Sequence, residues 1–259
     1  MARKILVKLG GTLLDEAASR TRLAAELTAA SRRAGVQMTV VHGGGKQMTR
    51  FLAERGVESR FVSGLRVTTP EVIDAVLKVF AGTVNHTFVA ALVAAGALPV
   101  GLTGIDALLT EAEQWSAELG AVGKPVRSNG ALLDLLTANG YLPVVACVAA
   151  DRQGNIYNVN ADQMAASCAA GFGAAELLFL TDVPGVMDST KQILPRLDRA
   201  GSEQLIRDGV ATGGMQAKLE AAHGALDGGV AEVVIAPGSA PDIVARLMDG
   251  EMIGTRLVR

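Results

Sequence analysis

Short apolar runs alternate along this chain with longer stretches of helical spacing. Lys4–Leu9 is the first apolar run and predicts a buried strand. Leu23–Ala34 repeats apolar residues at helical spacing and stops at Gly35, a residue type that closes helices. Met38–Val41 predicts a second strand, which runs into His42-Gly43-Gly44-Gly45. Lys46–Arg55 predicts a helix ending at Gly56. Pro70 stands where a first-turn proline is favoured and opens a long helix to about Ala95. Its apolar positions Val72, Ile73, Val76, Leu77, Val79, Phe80 and Val84 cover more than one face. Such a helix is buried on several faces, and one of them is available to a second subunit.

Further strands are predicted at Ala97–Leu102, Leu142–Val148, Leu177–Leu180, Val233–Ala236 and Gly254–Val258. Short strands are predicted around Gly120 and Gly123 within Glu118–Arg127. Helices are predicted at Leu132–Ala138, Ala161–Ala170, Ser202–Asp208, Met215–Leu226 and Asp242–Met248. Strands alternating with helices imply parallel βαβ units. The expected fold is therefore α/β, a three-layer αβα sandwich with a mainly parallel central sheet. Ligands of such sheets sit beyond the carboxyl ends of the strands. A boundary between two lobes is expected within Asn160–Leu180.

Composition narrows the choice of function. Of 259 residues, 49% are hydrophobic and 19% charged, which excludes disorder. Aromatic residues make up 3%, too few for a platform that stacks single-stranded nucleic acid. The net charge of −2 leaves no broad nucleic-acid surface, so a phosphate site has to be local. The longest uncharged stretch, Val79 to Ile105, contains Asn85, His86, Gly96 and Pro99, and reads as helix, turn and strand rather than a membrane span. The apolar run at the start reaches Lys8 too soon for a signal-peptide core. Cys147 and Cys168 form no CxxC pair and predict reduced, buried thiols in a cytoplasmic protein. No HExxH or Cys/His cluster suggests a metal held by the protein, and His42, His86 and His223 form no Ser-His-Asp pattern.

Six constellations carry the candidate chemistry. Lys8-Leu9-Gly10-Gly11 puts a lysine at a strand's carboxyl end, and its glycines allow backbone N–H groups close to an oxyanion. Three glycines after His42 open a helix and form a nest of N–H donors. Gln47 stands where a P-loop needs Ser or Thr, and Val40 where it needs Gly, so this nest is no P-loop. Arg66, within Gly64-Leu65-Arg66-Val67-Thr68, offers a planar fork that matches a carboxylate, or serves a surface ion pair. Asn158 and Asn160 share one side of an extended segment, and Asn160 or Asp162 suits the cap of the next helix. Thr181-Asp182-Val183-Pro184-Gly185-Val186-Met187-Asp188 follows a very apolar strand and forms either a nucleotide-cradling rim or a plain turn. Gly213-Gly214 open a helix with Lys218 in about its first turn, where a cation opposes the helix dipole unless an anion is bound. Glycine nests, two lysines and an acid together point to phosphoryl transfer, which asks for positioning and charge stabilisation rather than a covalent nucleophile.

In this order the motifs resemble the amino-acid kinase family. The resemblance runs from Lys8-Leu9-Gly10-Gly11 through Tyr141-Leu142-Pro143-Val144-Val145 to Gly254-Thr255-Arg256 and spans the whole chain. It implies a single amino-acid kinase domain over 1–259, with an N-lobe of about 1–170 for acyl-amino-acid binding and dimerisation, and a C-lobe of 171–259 for the nucleotide. It implies transfer of the γ-phosphoryl group of ATP to the side-chain carboxylate of N-acetyl-L-glutamate, the second step of arginine biosynthesis. The open alternatives are a kinase of another N-acylated or carrier-linked acid such as aminoadipate, and a non-catalytic sensor. By resemblance Lys8 and Lys218 neutralise the transferring group, Asp162 holds both, and the Gly11 and Gly45 N–H groups bind γ-phosphoryl oxygens. Gly44, Gly45, Arg66, Asn158 and Asn160 hold the acyl amino acid. Lys8, Gly11, Asp182, Val183, Pro184, Gly185, Val186, Met187, Val210, Ala211, Thr212 and Lys218 line the nucleotide site. ATP is the co-substrate, with Mg2+ carried by the nucleotide. The first strand begins almost at Met1, which by resemblance implies a homodimer insensitive to arginine, with the helix from Pro70 at its interface. Lys124 stands where relatives often carry an acid, in a hairpin over the substrate.

Overall fold

The structure, a computed structural model, describes residues 2–259. Its centre is an eight-stranded sheet in the order Arg196–Leu197, Thr255–Leu257, Glu232–Pro237, Glu176–Thr181, Arg3–Leu9, Val36–His42, Leu142–Ala146, Pro99–Thr103. All neighbouring pairs run parallel except Glu232–Pro237 with Thr255–Leu257. The expected mainly parallel sheet is what the chain forms. Helices Gly130–Ala138, Ala161–Phe172 and Gly213–Asp227 cover one face. Helix Ala17–Ser31 and the carboxyl half of the long helix cover the other. Both faces being covered explains why the central strands are apolar along their length rather than alternating. Ile5, Leu6, Val7 and Leu9 are all fully buried, as are Leu177 to Leu180.

The chain leaves Arg3–Leu9 toward Val36–His42 on one side, and later returns to pair Glu176–Thr181 on the other. That reversal opens a crevice at the carboxyl end of the central strand. Lys8-Leu9-Gly10-Gly11 and Thr181-Asp182 face each other across it, and Gly10 N–H donates to the Leu180 carbonyl at 2.8 Å.

Several sequence expectations change in detail. The predicted strand Leu142–Val148 breaks at Cys147 into Leu142–Ala146 and Val148–Ala150. There the chain leaves the large sheet for a small closed barrel of Ile156–Val159, Val122–Ser128, Thr110–Gln114 and Val148–Ala150. The strand Thr110–Gln114 was not expected, because Glu111, Glu113 and Gln114 break its apolar signal. Its charges are met across the ladder instead, Glu113 opposite Lys124 and Glu111 opposite Arg127. Phe61–Val62 and Leu65–Arg66 form a hairpin whose turn residues, Ser63 and Gly64, both have positive φ, as a two-residue hairpin turn requires.

The helix from Pro70 runs to Ala94. Thr69 caps it, its hydroxyl accepting from Val72 N–H at 3.3 Å, and Pro70 occupies the first turn. By length and composition it could cross a membrane, yet Val72, Val76, Val79, Phe80, Val84, Phe88 and Leu92 are buried within the fold. Between Leu77 and Val84 it widens into π-type turns, a feature common near functional sites.

The helix Ala161–Phe172 lies under the crevice and must be seated closely. Its Gly171 is met by the start of helix Gly130–Ala138, where a Cβ on Gly130 would sit 1.8 Å from the Gly171 carbonyl oxygen. We expect Gly130→Ala to lower stability by about 1–3 kcal/mol through overpacking, read from urea unfolding midpoints; an unchanged midpoint contradicts this close approach.

Candidate active site

The site begins with one carboxylate between two ammonium groups. Lys8, the last residue but one of the central strand, places Nζ 2.7 Å from Asp162 Oδ1. Lys218, on helix Gly213–Asp227, places Nζ 2.7 Å from Asp162 Oδ2. All three side chains are about nine-tenths buried. Burial alone would raise the Asp162 carboxyl, but the Lys8 and Lys218 charges outweigh it and hold it down at about 2. Its contribution to stability is present above the ordinary carboxylate range and is lost as pH falls toward that value. Burial lowers the Lys218 ammonium from its ordinary 10.5, the Lys8 charge adds to the effect, and Asp162 and Asp182 oppose it.

Lys218 is the sixth residue of its helix, in the second turn rather than the first. The dipole conflict inferred from sequence is therefore weak, and Asp162 is what accounts for the lysine. Two positive charges on one carboxylate leave the cluster with an excess charge of +1, suited to an anion.

Two glycine nests meet beside this cluster. A Cβ on Gly11 would lie 3.0 Å from Gly45 N and 3.2 Å from Gly44 Cα, so the two loops pack backbone to backbone. Gln47 Nε2 donates to the Gly11 carbonyl at 3.2 Å and ties them together. Gly44 is covered by Phe80 and Val84, whose atoms would lie within 3.1 Å of a Cβ there. Gly11, Gly45 and Arg66 line one open cleft of about 590 Å³.

Behind Gly45 lies a smaller cavity of about 150 Å³, lined by Gly44, Gly45, Arg66, Asn158 and Asn160 together with Phe61, Leu65, Phe80, Val122 and Cys147. Arg66 is buried yet pairs with no carboxylate among the described residues. Its Nη2 donates to Thr49 Oγ1 at 2.8 Å and to the Gly45 carbonyl at 3.2 Å, its Nη1 donates to Ser59 Oγ, and the group lies over the Phe61 ring. Burial pushes the guanidinium below its ordinary value. A buried fork with neutral partners is a ready site for an external carboxylate. Asn158 donates from Nδ2 to Thr68 Oγ1 at 3.0 Å, which leaves its carbonyl oxygen for the cavity. Asn160, not Asp162, caps the helix, accepting from Asp162 N–H at 2.9 Å and Gln163 N–H at 3.3 Å.

The rim Asp182 to Met187 follows the strand Glu176–Thr181. Its middle is pinned from the far end of the chain, where Val186 N–H donates to Thr255 Oγ1 at 2.8 Å. Asp182, the first residue of this rim, lies close enough to Lys218 to favour its charged form. Val210, Ala211 and Thr212 lead directly into the helix that carries Lys218, with Ala211 N–H anchored on the Leu205 carbonyl at 3.0 Å. Lys124 lines a separate groove of about 500 Å³ with Trp115 and Glu220, outside the 150 Å³ cavity. Sequence reasoning missed Ser59, Thr49 and Phe61, which reach the site from outside any motif, and gave Thr68, within the Arg66 motif, and Cys147, read as a buried thiol, no role at the site.

A buried salt-bridged triad, paired N–H nests and a guanidinium with no carboxylate partner make an anion-ready crevice on this fold, and the chain belongs to the amino acid kinase family, whose pattern matches residues 3–237. Within it the acetylglutamate kinase of Solibacter usitatus is 66% identical over 255 residues, covering 98% of this chain and 99% of that one. The acetylglutamate kinase of Bartonella tribocorum is 38% identical, covering 98% and 89%. The fold is also that of N-acetylglutamate synthase from Neisseria gonorrhoeae, with a TM-score of 0.87 at 24% identity over 99% of this chain and 59% of that one. The chain is a kinase.

Because Lys218 sits below its ordinary value, it loses its proton earlier than a free lysine as pH rises. We expect kcat/KM, which reports the free enzyme, to fall on the alkaline side with an apparent pKa below the ordinary lysine value, and Lys218→Arg, which cannot titrate there, to move that limb upward. A limb unchanged in the arginine variant contradicts this assignment.

Proposed function

We propose that this chain transfers the γ-phosphoryl group of ATP to the side-chain carboxylate of N-acetyl-L-glutamate, forming an acyl phosphate and ADP. The observation that carries the reading is the Lys8–Asp162–Lys218 triad beside the Gly11 and Gly45 nests. A carboxylate oxygen attacks phosphorus, the bond from phosphorus to the β,γ-bridging oxygen breaks, and its electron pair leaves on ADP. Both reactants are anions, so fixed cations have to offset their repulsion. Lys8 meets the group from the acceptor side and Lys218 from the ADP side, while Asp162 keeps the two ammonium groups from parting. Arg66 takes the α-carboxylate, and Asn158 and Asn160 the acetamido group, in a cavity of about 150 Å³ that suits a small acyl group better than a carrier-linked acid.

The rim Asp182–Met187 and Val210–Thr212 hold the nucleotide. Mg2+ would be carried by the nucleotide and would supply further charge neutralisation at the phosphates. Among the described residues no cluster of three His, Cys, Asp or Glu side chains offers a cage, and both oxygens of Asp162 are taken by lysines.

The lobes 1–170 and 171–259 divide the work in this reading, the first holding the acyl amino acid and the second the nucleotide. A homodimer fits the exposed Val93, Leu98 and Tyr141 around the outer strand Pro99–Thr103. Free, buried Cys147 and Cys168 fit a reducing, cytoplasmic setting.

Trapping the acyl phosphate with hydroxylamine should give a hydroxamate only when N-acetyl-L-glutamate and MgATP are both present. Equal product from aminoadipate derivatives would overturn the substrate assignment. Lys8→Ala and Lys218→Ala should each lower kcat by about 10²–10³ with far smaller changes in KM; near-normal turnover in either removes that lysine from the mechanism. Light scattering should give twice the 26.7 kDa chain mass, and a hexamer or a monomer rejects the dimer.

A further inference from the structure

The triad and the nests leave one buried polar network without a task. His42, the last residue of strand Val36–His42, is fully buried directly before the glycines. Its Nδ1 contacts the Gly43 carbonyl at 2.9 Å. A carbonyl only accepts, so Nδ1 carries the proton and Nε2 is left as an acceptor. Asn85 fills that role, its Nδ2 donating to His42 Nε2 at 2.9 Å and also to the Val144 carbonyl of the next strand at 3.0 Å. Asn85 is itself buried, and the fold makes room for it. On strand Pro99–Thr103 a Cβ at Gly101 would fall 2.3 Å from Asn85 Oδ1.

Asn85 also stands at a particular place on its helix. It follows the widened segment Leu77–Val84, whose Phe80 and Val84 side chains press on Gly44. One stretch of helix therefore touches the nest twice, through apolar packing on Gly44 and through the Asn85–His42–Gly43 chain of hydrogen bonds. A buried polar chain of this kind holds one geometry when every member is satisfied. It reaches the peptide of Gly43, whose orientation sets where the N–H groups of Gly44 and Gly45 point.

We infer that Asn85 is a positioning residue for the phosphoryl-binding nest: through His42 it fixes the Gly43 peptide and so the direction of the Gly44 and Gly45 N–H donors. This rests on the reading above that the nest binds the transferring group. Asn85 lines neither cleft and reaches the nest only through the imidazole, its second bond to Val144 anchoring it to the sheet, so its effect falls mainly on turnover. Misplacement of reacting groups by about 1 Å costs on the order of 10²-fold in rate.

The test compares Asn85→Leu, which keeps the volume and removes the donor, with Phe88→Leu, a buried core change three residues on at a position that lines neither cleft. Steady-state kinetics are run where both variants are folded by circular dichroism, and the His42 ring nitrogens are followed by ¹⁵N NMR at neutral pH. Asn85→Leu should lower kcat by about tenfold to 10²-fold, with both KM values nearly unchanged, and should alter the His42 Nε2 signal. Phe88→Leu should lose thermal stability and keep kcat and the His42 signal. If Asn85→Leu does not fold, Gly101→Ala displaces the same amide from the opposite side, and the same fall in kcat is expected. Matching kcat in the Asn85 and Phe88 variants overturns the inference. Full turnover in Lys8→Ala would instead overturn the phosphoryl site itself, so the two failures are distinguishable.

Discussion

Everything in this site depends on one carboxylate shared by two ammonium groups. Three buried charges would be costly apart: desolvation of each ion takes several kcal/mol, and removing one partner from a buried pair destabilises by about 3–5 kcal/mol. Held at 2.7 Å on each side, Asp162 stays ionised and Lys8 and Lys218 stay at the crevice rather than turning to solvent. The arrangement is incomplete as a purely structural device, because it retains an excess positive charge. In the proposed reaction a transferring phosphoryl group would supply what is missing, and at a site nine-tenths buried that attraction is far stronger than at a surface.

The fold meets this demand by bringing three distant segments to one point. Lys8 comes from the end of the central strand, Asp162 from the first turn of a helix packed under that strand, and Lys218 from a helix on the same face. Asn160 fixes the start of the Asp162 helix by satisfying two of its free N–H groups. The close seating of Gly130 against Gly171 fixes its far end. Glycine appears at Gly11 and Gly44 for a related reason: a side chain at either would collide with the opposite loop or with the Phe80 ring, and the N–H donors would be pushed away from the anion.

Arg66 shows the same logic on the acceptor side. An arginine beside Phe61, with only neutral partners, is poorly compensated within the protein. Its own hydrogen bonds to Ser59 and Thr49 orient the fork without neutralising it. Local stability is given up there for the ability to take a carboxylate, a pattern expected where a site is preorganised for a ligand.

Most of the order of strands and helices, the parallel sheet and the strand ends at Gly10, Gly43, Asp182 and Gly238 were legible in the sequence, because period and turn residues are local signals. So were Lys8, Gly44, Gly45, Arg66, Asn158, Asp162 and Lys218, whose ordered motifs carry the family resemblance. Tertiary structure decided what no local signal encodes. The helix position of Lys218 is explained by Asp162 against it, a pairing the resemblance implied and the fold brings about. The strand Thr110–Gln114 was masked by charges that find their partners across the ladder. The break at Cys147 came from the chain passing between two sheets. Thr68, Ser59, Thr49 and Asn85 act through hydrogen bonds to other segments, and such pairings are set by packing in three dimensions, not by spacing along the chain.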